Sequence, residues 1–241
     1  MTDLEDIVIA AHGDIERWRS FNKLTAQVTN GGALWDIKGQ TGLLDHYTVS
    51  IDLHRQFASH SPFGRVGRKS YYTPDRVAIL TMGDDVIEER VNPRAAFAGH
   101  VLETPWDHLD SVYFAGYAMW NYLSEPFTFA EPGFTFAELE PWDEDGETWR
   151  RLQVTFPEDL ATHSTVQTYY IDDSGLIRRH DYSPDVLGPG NRDSAHYSWA
   201  HKEFDGFMFP TKRSVHLTDE NGDKVSEPVI VSIEVDEIAV S

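Results

Sequence analysis

The stretch TVQTYYIDDSGLIRRHDY, residues 165–182, decides the fold. Two arms rich in β-branched and aromatic residues flank the turn Asp172-Asp173-Ser174-Gly175, a composition typical of a β-hairpin. Gly175 stands where a hairpin loop needs a left-handed residue, a conformation that glycine adopts without steric cost. The sequence therefore predicts an antiparallel strand pair here, and a mostly antiparallel fold around it.

The register of this hairpin determines which side chains share a face. If Gly175 closes a three-residue loop, one side of the sheet carries the pairs Tyr170–Arg178, Thr168–His180 and Val166–Tyr182. A face with His180, Tyr182 and Arg178 suits an anionic or phenolic group. His180 and Tyr182 are the candidate proton carriers, because imidazole titrates near neutral pH and a phenol exchanges protons readily. The alternative is an outer face of ordinary cross-strand pairs.

A recognisable order of features follows the hairpin. One strand ends at Glu203-Phe204-Asp205-Gly206, and the next begins at Phe209-Pro210-Thr211-Lys212-Arg213. This order resembles the superfamily of bacterial lipoprotein-localisation factors, the LolA/LolB-like proteins, mainly over residues 165–218. The resemblance implies an α+β, mostly antiparallel fold. Its core would be a strongly curved, half-open β-barrel with helices covering or plugging the concave side and an apolar cavity between them.

The chain departs from that family at its N-terminus and in its cysteine content. Residues 1–18 lack the basic segment and long apolar segment of a secretory signal, and there is no cysteine to carry a lipid anchor. We therefore expect a cytoplasmic relative of the family rather than a periplasmic lipoprotein carrier.

Other strands are predicted from alternating apolar and polar residues and from turn residues. In chain order they are residues 24–28, 34–37, 47–57, 71–80, 86–91, 149–156, 195–204, 211–217 and 229–235. The first two are expected to form a pair joined at Gly31-Gly32. Helical spacing from Leu4 to Trp18, broken at Gly13-Asp14, predicts two helical pieces at the N-terminus. No repeat or linker divides the chain, so a single domain over residues 1–241 is expected.

One internal helix is predicted over residues 105–123. Thr104 is the expected cap, Pro105 takes the first helical position and Asp107 the third. Apolar residues cover most of the circumference of this helix, a pattern typical of a buried helix. We expect it to lie inside the curved sheet.

Tryptophan and tyrosine are unusually frequent on this helix. Their N–H and O–H groups need partners when buried, and a pocket for a flat or long apolar molecule uses such residues. The predicted ligand-binding residues are Trp106, Tyr113, Tyr117, Trp120 and, from the hairpin, Arg178. The alternative is that the helix only packs a core.

Composition excludes several classes of partner. The 40 acidic and 20 basic residues give a formal charge of −20, which repels nucleic-acid phosphates and anionic lipid. No apolar run approaches the roughly 20 residues of a membrane span. The absence of cysteine excludes thiolate nucleophiles and cysteine-ligated metals. The expected partner is a hydrophobic or aromatic small molecule, without nucleic acid and without a membrane span.

Catalytic motifs give no further direction. The sequence has no GxSxG, Walker, dinucleotide-binding or HExxH motif, and its eleven histidines do not have metal-ligand spacing. We therefore expect neither a metal nor a cofactor. His54, beside Asp52 on the polar side of its strand, is one more candidate acid–base residue.

Three functions remain open at this point. The first is binding of a hydrophobic or aromatic small molecule in a cavity between the sheet and the 105–123 helix. The second is a cofactor-independent acid–base enzyme, an isomerase, lyase or cyclase, that uses the same cavity; it requires at least two ionisable side chains to converge there. The third is a structural or partner-binding protein with a filled core and an exposed apolar patch.

Overall fold

The computed structural model describes residues 3–188 and 193–241. Its strands are β1 Lys23–Gly31, β2 His46–Asp52, β3 Ala58–Ser61, β4 Arg68–Thr73, β5 Arg76–Thr81, β6 Val86–Val91, β7 Thr135–Glu144, β8 Glu147–Thr155, β9 Val166–Ile171, β10 Ile177–Tyr182, β11 Ser194–Phe204, β12 Phe207–Leu217 and β13 Val231–Val240. Its α-helices are α1 Leu4–His12, α2 Ile15–Arg19, α3 Ala33–Ile37 and α4 His108–Ser124. Short 3-10 helices cover Pro93–Phe97, Phe127–Ala130 and Asp185–Leu187.

All these strands form one antiparallel sheet. Its order is β6-β5-β4-β3-β2-β1-β13-β12-β11-β10-β9-β8-β7, so β1 and β13, from the two ends of the chain, pair in the middle. Strands β6 and β7 form the two edges and do not pair with each other. The sheet is therefore curved but not closed, which confirms the predicted α+β, half-open architecture.

Helix α4 connects the two edges of the sheet and fills its concave side. It follows β6 and precedes β7, which lie at opposite ends of the strand order, so the connection has to cross the sheet. Every residue from Leu109 to Ser124 is buried, and the helix packs against β3, β4 and β5. At Gly116 a Cβ would lie 2.2 Å from Cγ of Tyr72, so the closest approach depends on glycine.

The inner face of the sheet is divided by polarity. Strands β1, β2 and β13 give it an apolar half, formed by Leu24, Ala26, Val28, Val49, Ile51, Ile233 and Val235. Strands β9 to β12 give it a polar half, formed by Gln167, Tyr169, His180, Tyr182, His196, Ser198 and Arg213. Buried polar groups need hydrogen-bond partners, so the side chains of the polar half are expected to bond to one another or to a ligand.

The predicted hairpin forms, but its predicted register is wrong. Gly175 has a φ of 84°, as expected. The observed pairs are Arg179–Tyr170, His180–Tyr169 and Asp181–Thr168, with an irregularity between Ile177 and Arg179. Asp172 Oδ1 accepts hydrogen bonds from the backbone N–H groups of Ser174 and Leu176, which makes the turn compact. The extra residue on β10 then shifts the pairing by one position.

Several other predicted elements differ in extent or type. Residues 34–37 form helix α3 rather than a strand, because the N–H groups of Ala33 and Leu34 bond to Val229 and Ile230 and turn the chain away from β1. Helix α4 begins at His108 rather than at 105, because Asp107 and Asp110 cap it reciprocally. Strand β2 stops at Asp52, and Pro74-Asp75 divides residues 71–80 into the hairpin of β4 and β5. The two N-terminal helical pieces are confirmed, with Asp14 capping the second.

Within residues 3–188 and 193–241, no helix is both long enough and apolar enough to cross a membrane.

Candidate functional site

A small cavity lies between α4 and the middle of the sheet. Its volume is about 40 Å³. Its apolar walls come from α3, α4, β12, β13 and the segment before Gly188, and are formed by Leu34, Trp35, Phe114, Ala115, Ala118, Met119, Pro184, Leu187, Val215, Ile230, Val231 and Ile233. Its polar lining is formed by Asn30, Tyr47, Tyr122, His163, Tyr182 and Ser194. We call this the central cavity.

At one end of the central cavity, three tyrosines and one histidine form a chain of hydrogen bonds. The hydroxyl of Tyr117 lies 3.1 Å from His163 Nδ1, and the hydroxyl of Tyr122 lies 2.6 Å from His163 Nε2. Tyr122 in turn lies 2.9 Å from the hydroxyl of Tyr182, whose ring stacks on His163 at 4.1 Å. Burial lowers the pKa of His163 to about 3, so its imidazole is neutral and has one donor and one acceptor nitrogen.

His180 and His196 continue this polar region along the sheet. They are cross-strand partners, with ring centroids 5.6 Å apart. His180 Nε2 donates to Gln167 Oε1, and its ring stacks on Tyr169 at 4.4 Å. Burial lowers the pKa of both histidines, so both are neutral near pH 7. Together with Tyr117, Tyr122, His163, Tyr182, Gln167 and Tyr169 they form what we call the inner polar cluster.

A carboxyl and a guanidinium group border this cluster at the C-terminal end of α4. Arg213 donates to the backbone carbonyl of Tyr122 at 2.8 Å and to Ser198 Oγ at 3.1 Å, so it caps the last turn of α4. Glu125 lies beside Tyr169, and burial raises its pKa to about 8. The inner polar cluster therefore holds mostly neutral groups at physiological pH.

The hairpin residues predicted to share a face are separated in the structure. His180 and Tyr182 point to the interior and belong to the inner polar cluster. Arg178 does not: its guanidinium bonds to Asp172 at 3.2 Å and lies 6.0 Å from the ring of Trp149. It borders a depression on the opposite, outer side of the sheet, with Tyr197 and Trp199. The bulge at Arg178 accounts for this separation.

The aromatic residues predicted on α4 have different surroundings. Tyr117 belongs to the inner polar cluster. Tyr113 accepts a hydrogen bond from Arg94, and Trp120 Nε1 donates to the carbonyl of Asp52 at 2.8 Å. Trp106 precedes the helix and packs against Phe114 at 4.9 Å between ring centroids. Tyr117 is fully buried and does not itself line the central cavity, and Trp106 has core contacts, so ligand contact by these two residues stays a prediction.

Two open grooves lie above α4, on either side of residues 156–165. We call this segment the strap. One groove, of about 420 Å³, is bordered by Trp18, Leu53, His54, Trp120, Phe127 and Leu160; the other, of about 560 Å³, by Arg94, Tyr113, Asp185 and Leu160. Leu160 faces both grooves, whereas His163, three residues further along, lines the central cavity. The strap therefore separates the grooves from the interior.

His54 lies in the groove of about 420 Å³, away from the other candidate proton carriers. It is exposed, and its backbone N–H donates to Asp52 Oδ1 at 2.9 Å. No contact between described residues joins its side chain to His180 or Tyr182. The sequence-based candidates thus fall into two places, the inner polar cluster and the outer groove.

Several residues of the site were missed from the sequence. His163 lies in the strap, where no periodic pattern marks a residue as buried. Asn30, Trp35 and Tyr47 meet at the central cavity only because β1, α3 and β2 come together there. His196 could have been found, since it lies opposite His180 once β10 pairs with β11. Among residues 3–188 and 193–241, no group of three histidine, cysteine or acidic side chains is arranged to hold a metal ion.

Fold and site together define a half-open antiparallel barrel, filled by one helix, with a small cavity beside it. Solved structures share this fold at low sequence identity. A DUF1329 family protein from Desulfovibrio piger ATCC 29098 has a TM-score of 0.52 at 12% identity, covering 98% of this chain and 91% of that chain. A putative outer membrane lipoprotein-sorting protein domain from Vibrio parahaemolyticus has a TM-score of 0.51 at 9% identity, covering 98% and 90%.

A LolA superfamily protein from Nitrosomonas europaea aligns over 92% of this chain and 86% of its own, with a TM-score of 0.49 at 10% identity. No protein-family model and no curated protein matches the sequence. The chain has the LolA/LolB-like fold, as its hairpin and strand-start motifs predicted.

Proposed function

We propose that the protein binds a hydrophobic or aromatic small molecule in the central cavity. The observation that carries this proposal is a largely apolar cavity, between α4 and the sheet, that ends on the hydroxyls of Tyr122 and Tyr182 and the imidazole of His163. Apolar walls with a few convergent polar groups are the usual design of a ligand site. The fold shared with a putative lipoprotein-sorting domain supports a hydrophobic ligand without identifying it.

The size of the cavity sets a condition on binding. Small-molecule pockets typically have volumes of roughly 300–1,000 Å³, so a cavity of about 40 Å³ has to widen around its ligand. Met119 is the most adaptable wall residue, because its side chain is unbranched and flexible. Pro184 and Leu187 belong to the short 3-10 helix Asp185–Leu187 and its cap, which lie outside the sheet, so their displacement breaks no strand pairing. Binding is therefore expected to be accompanied by displacement of residues 184–188.

Native mass spectrometry tests the proposal directly. The protein is incubated with a total lipid extract and with a mixture of aromatic metabolites, and retained molecules are identified. Ala118→Phe fills the cavity from α4, whereas Ala10→Phe makes the same substitution at an exposed position of α1. We expect a stoichiometric ligand on the wild type and on Ala10→Phe, and none on a folded Ala118→Phe. Absence of any ligand on the wild type contradicts the proposal.

Acid–base catalysis in the same cavity is the second candidate. One observation favours it: His163, Tyr122 and Tyr182 converge at one end of the cavity in a continuous hydrogen-bonded chain. Such a chain can take up a proton at one end and release one at the other. In this proposal Tyr182 exchanges a proton with the substrate. His180 does not line the cavity and acts through Tyr182, against which its ring packs. His54 lies outside the cavity and has no role in catalysis.

Deuterium incorporation distinguishes the enzyme from the binding protein. Any retained ligand with an acidic C–H bond is incubated with the protein in D₂O, and its deuterium content is measured by mass spectrometry. Catalysis predicts exchange that is lost in His163→Gln and Tyr182→Phe while the ligand stays bound. A bound ligand that never exchanges supports binding alone.

The remaining sequence-based expectations are part of the same proposal. They are a cytoplasmic location, the absence of nucleic-acid partners, and ligand contacts by Trp106, Tyr113, Tyr117, Trp120 and Arg178, none of which lines the central cavity as described. Fractionation of cells that express the tagged protein tests the first. Gel-shift experiments at low salt, where weak phosphate contacts are strongest, test the second.

A further inference from the structure

Three polar groups on the wall of the central cavity have no hydrogen-bond partner within the described part of the chain. They are the indole Nε1 of Trp35, the hydroxyl of Tyr47 and Oδ1 of Asn30. Trp35 and Tyr47 are 8% and 4% exposed, and Asn30 is half-buried with its Oδ1 atom out of contact with solvent, so bulk water does not solvate these groups. More than nine in ten buried polar groups in proteins are paired. Three unpaired groups around one cavity therefore indicate a place for a polar group from outside the chain.

The three groups come from neighbouring elements and converge on the cavity. Asn30 lies at the end of β1, Tyr47 at the start of β2, and Trp35 on α3. Tyr47 lies beside Asn30, without a well-formed hydrogen bond between them. The indole of Trp35 is a donor only, the hydroxyl of Tyr47 both donates and accepts, and the side chain of Asn30 supplies an acceptor oxygen. An oxygen atom of a ligand can satisfy both donors at once.

The cavity wall carries no charge. None of its lining residues is lysine, arginine, aspartate or glutamate. Burial raises the pKa of Tyr47 and lowers that of His163, which keeps both side chains neutral near pH 7. Arg213, a cation on the inner face, does not line the cavity and donates to Tyr122 and Ser198. A buried ion without a partner is strongly disfavoured, so an anionic head group has nothing there to stabilise it.

We propose, on the basis of the ligand-binding function above, that the ligand has an apolar body and a neutral oxygen-bearing head group. A hydroxyl or carbonyl oxygen accepts hydrogen bonds from Trp35 Nε1 and from the hydroxyl of Tyr47, and a hydroxyl donates to Asn30. The apolar body lies along Met119, Val215 and Ile233. Ionised carboxylates and phosphate esters are excluded from this site.

Matched probes separate the head-group proposal from the binding function. They are 1-dodecanol, methyl dodecanoate and sodium dodecanoate at pH 8, where the acid is ionised. Binding is measured by isothermal titration calorimetry, with the alcohol and the ester below their solubility limits and the carboxylate below its micelle concentration. We expect the alcohol and the ester to bind at least about tenfold more tightly than the carboxylate, because burial of an unpaired charge costs several kcal/mol. If the carboxylate binds as tightly as the alcohol, the head-group proposal is wrong while the binding function stands. If none of the three probes binds, both the head-group proposal and the binding function are wrong.

Substitutions locate the head group. Trp35→Phe and Tyr47→Phe each remove one donor, and each should weaken binding of 1-dodecanol by roughly 2- to 12-fold, the range for one hydrogen bond. Tyr47→Phe removes a hydroxyl without a protein partner, so the unliganded variant should unfold at the same temperature as the wild type or higher. Trp199→Phe, at an exposed position on the outer side, is the matched control and should bind normally. Unchanged affinity in both folded cavity variants overturns the assignment.

Discussion

Glu125 is a carboxylic acid buried at the end of α4, with one carboxyl oxygen that has no hydrogen-bond partner among the described residues. Burial raises its pKa to about 8, and neighbouring Tyr169 and Arg213 only partly oppose that shift. The folded protein therefore keeps this proton at pH values where the unfolded chain, with an ordinary pKa near 4.5, has lost it. The contribution of Glu125 to stability is present below about pH 4.5 and declines as the pH rises towards 8.

Replacing Glu125 with glutamine, which stays neutral, should remove this decline. We expect Glu125→Gln to have nearly wild-type stability at pH 5 and to be more stable than the wild type at pH 8, by on the order of 3 kcal/mol. Urea denaturation at pH 5, 6, 7 and 8 measures the difference. The exposed substitution Glu220→Gln is the control and should show no such trend. A difference for Glu125→Gln that does not change with pH would show that the carboxyl is not protonated in the folded state.

At the scale of elements, the close contact between α4 and β4 depends on Gly116, which has no side chain. A methyl group at Gly116 would overlap the ring of Tyr72, with atoms only 2.2 to 2.6 Å apart. Alanine favours a helix over glycine by about 1 kcal/mol, which is less than the cost of overpacking a dense core.

Gly116→Ala should therefore destabilise the protein by about 2 kcal/mol or more, despite its better helix propensity. Gly83→Ala is the matched control, because the nearest atom to its new methyl group is 3.7 Å away. Chemical denaturation of both variants provides the measurement. If Gly116→Ala is as stable as the wild type, α4 does not lie as close to the sheet as described.

The strap is fastened to the β2–β3 connection by one side chain. Gln56 accepts from the N–H of Ala161 and donates to its carbonyl, both at 2.8 Å, and Asn121 of α4 also donates to that carbonyl. Because the strap brings His163 to the central cavity, this contact helps to hold His163 in place.

Gln56→Ala should loosen the strap without unfolding the protein. Losing two hydrogen bonds at about 1 kcal/mol each predicts roughly ten- to thirtyfold faster hydrogen exchange across residues 157–165. Gln27→Ala, which removes a surface bond to Glu237, should leave exchange in the strap unchanged. Exchange measured by mass spectrometry compares the two variants. Equal protection of the strap in Gln56→Ala and the wild type would mean that other contacts hold the strap in place.

How far the sequence predicts the structure depends on the range of the interactions. Local chemistry is predicted well: Gly175 takes its left-handed turn, and residues 108–123 of the helix predicted over 105–123 form a helix that is buried from Leu109 onward. The hairpin register failed by one residue because the Asp172 side chain bonds to two backbone N–H groups and a bulge follows. His163 could not be placed, since a loop residue becomes buried only through contacts with distant Tyr117, Tyr122 and Tyr182.

At the scale of the whole molecule, the middle of the sheet joins the two ends of the chain. Strands β1 and β13 pair along most of their length, and the N–H of Ser241 bonds to the carbonyl of Lys23. Separation of β1 from β13 would expose the apolar half of the interior to solvent. We therefore propose that the chain behaves as a single domain.

A single domain predicts one cooperative unfolding transition. Tryptophan fluorescence and far-ultraviolet circular dichroism should give the same midpoint in urea, and the calorimetric and van't Hoff enthalpies should agree. Deleting the last strand, residues 231–241, should abolish folding of the whole chain rather than of one half. Two separate transitions in the intact protein would instead indicate two units.

The central cavity is amphipathic because the interior is divided into an apolar half and a polar half. The cavity lies where the two halves meet, with Val231 and Ile233 on one side and Tyr122 and Tyr182 on the other. An amphipathic molecule can therefore be oriented there by the protein. Binding of such a molecule at that boundary is the central claim.

The most direct test is a crystal structure of the protein soaked with 11-bromo-1-undecanol, and in parallel with 11-bromoundecanoate, recorded at the bromine absorption edge. The account predicts an anomalous bromine peak inside the barrel, between α4 and β13, for at least one of these probes. Bromine found only in the outer groove beside Trp120, or at no ordered position with either probe, would contradict it.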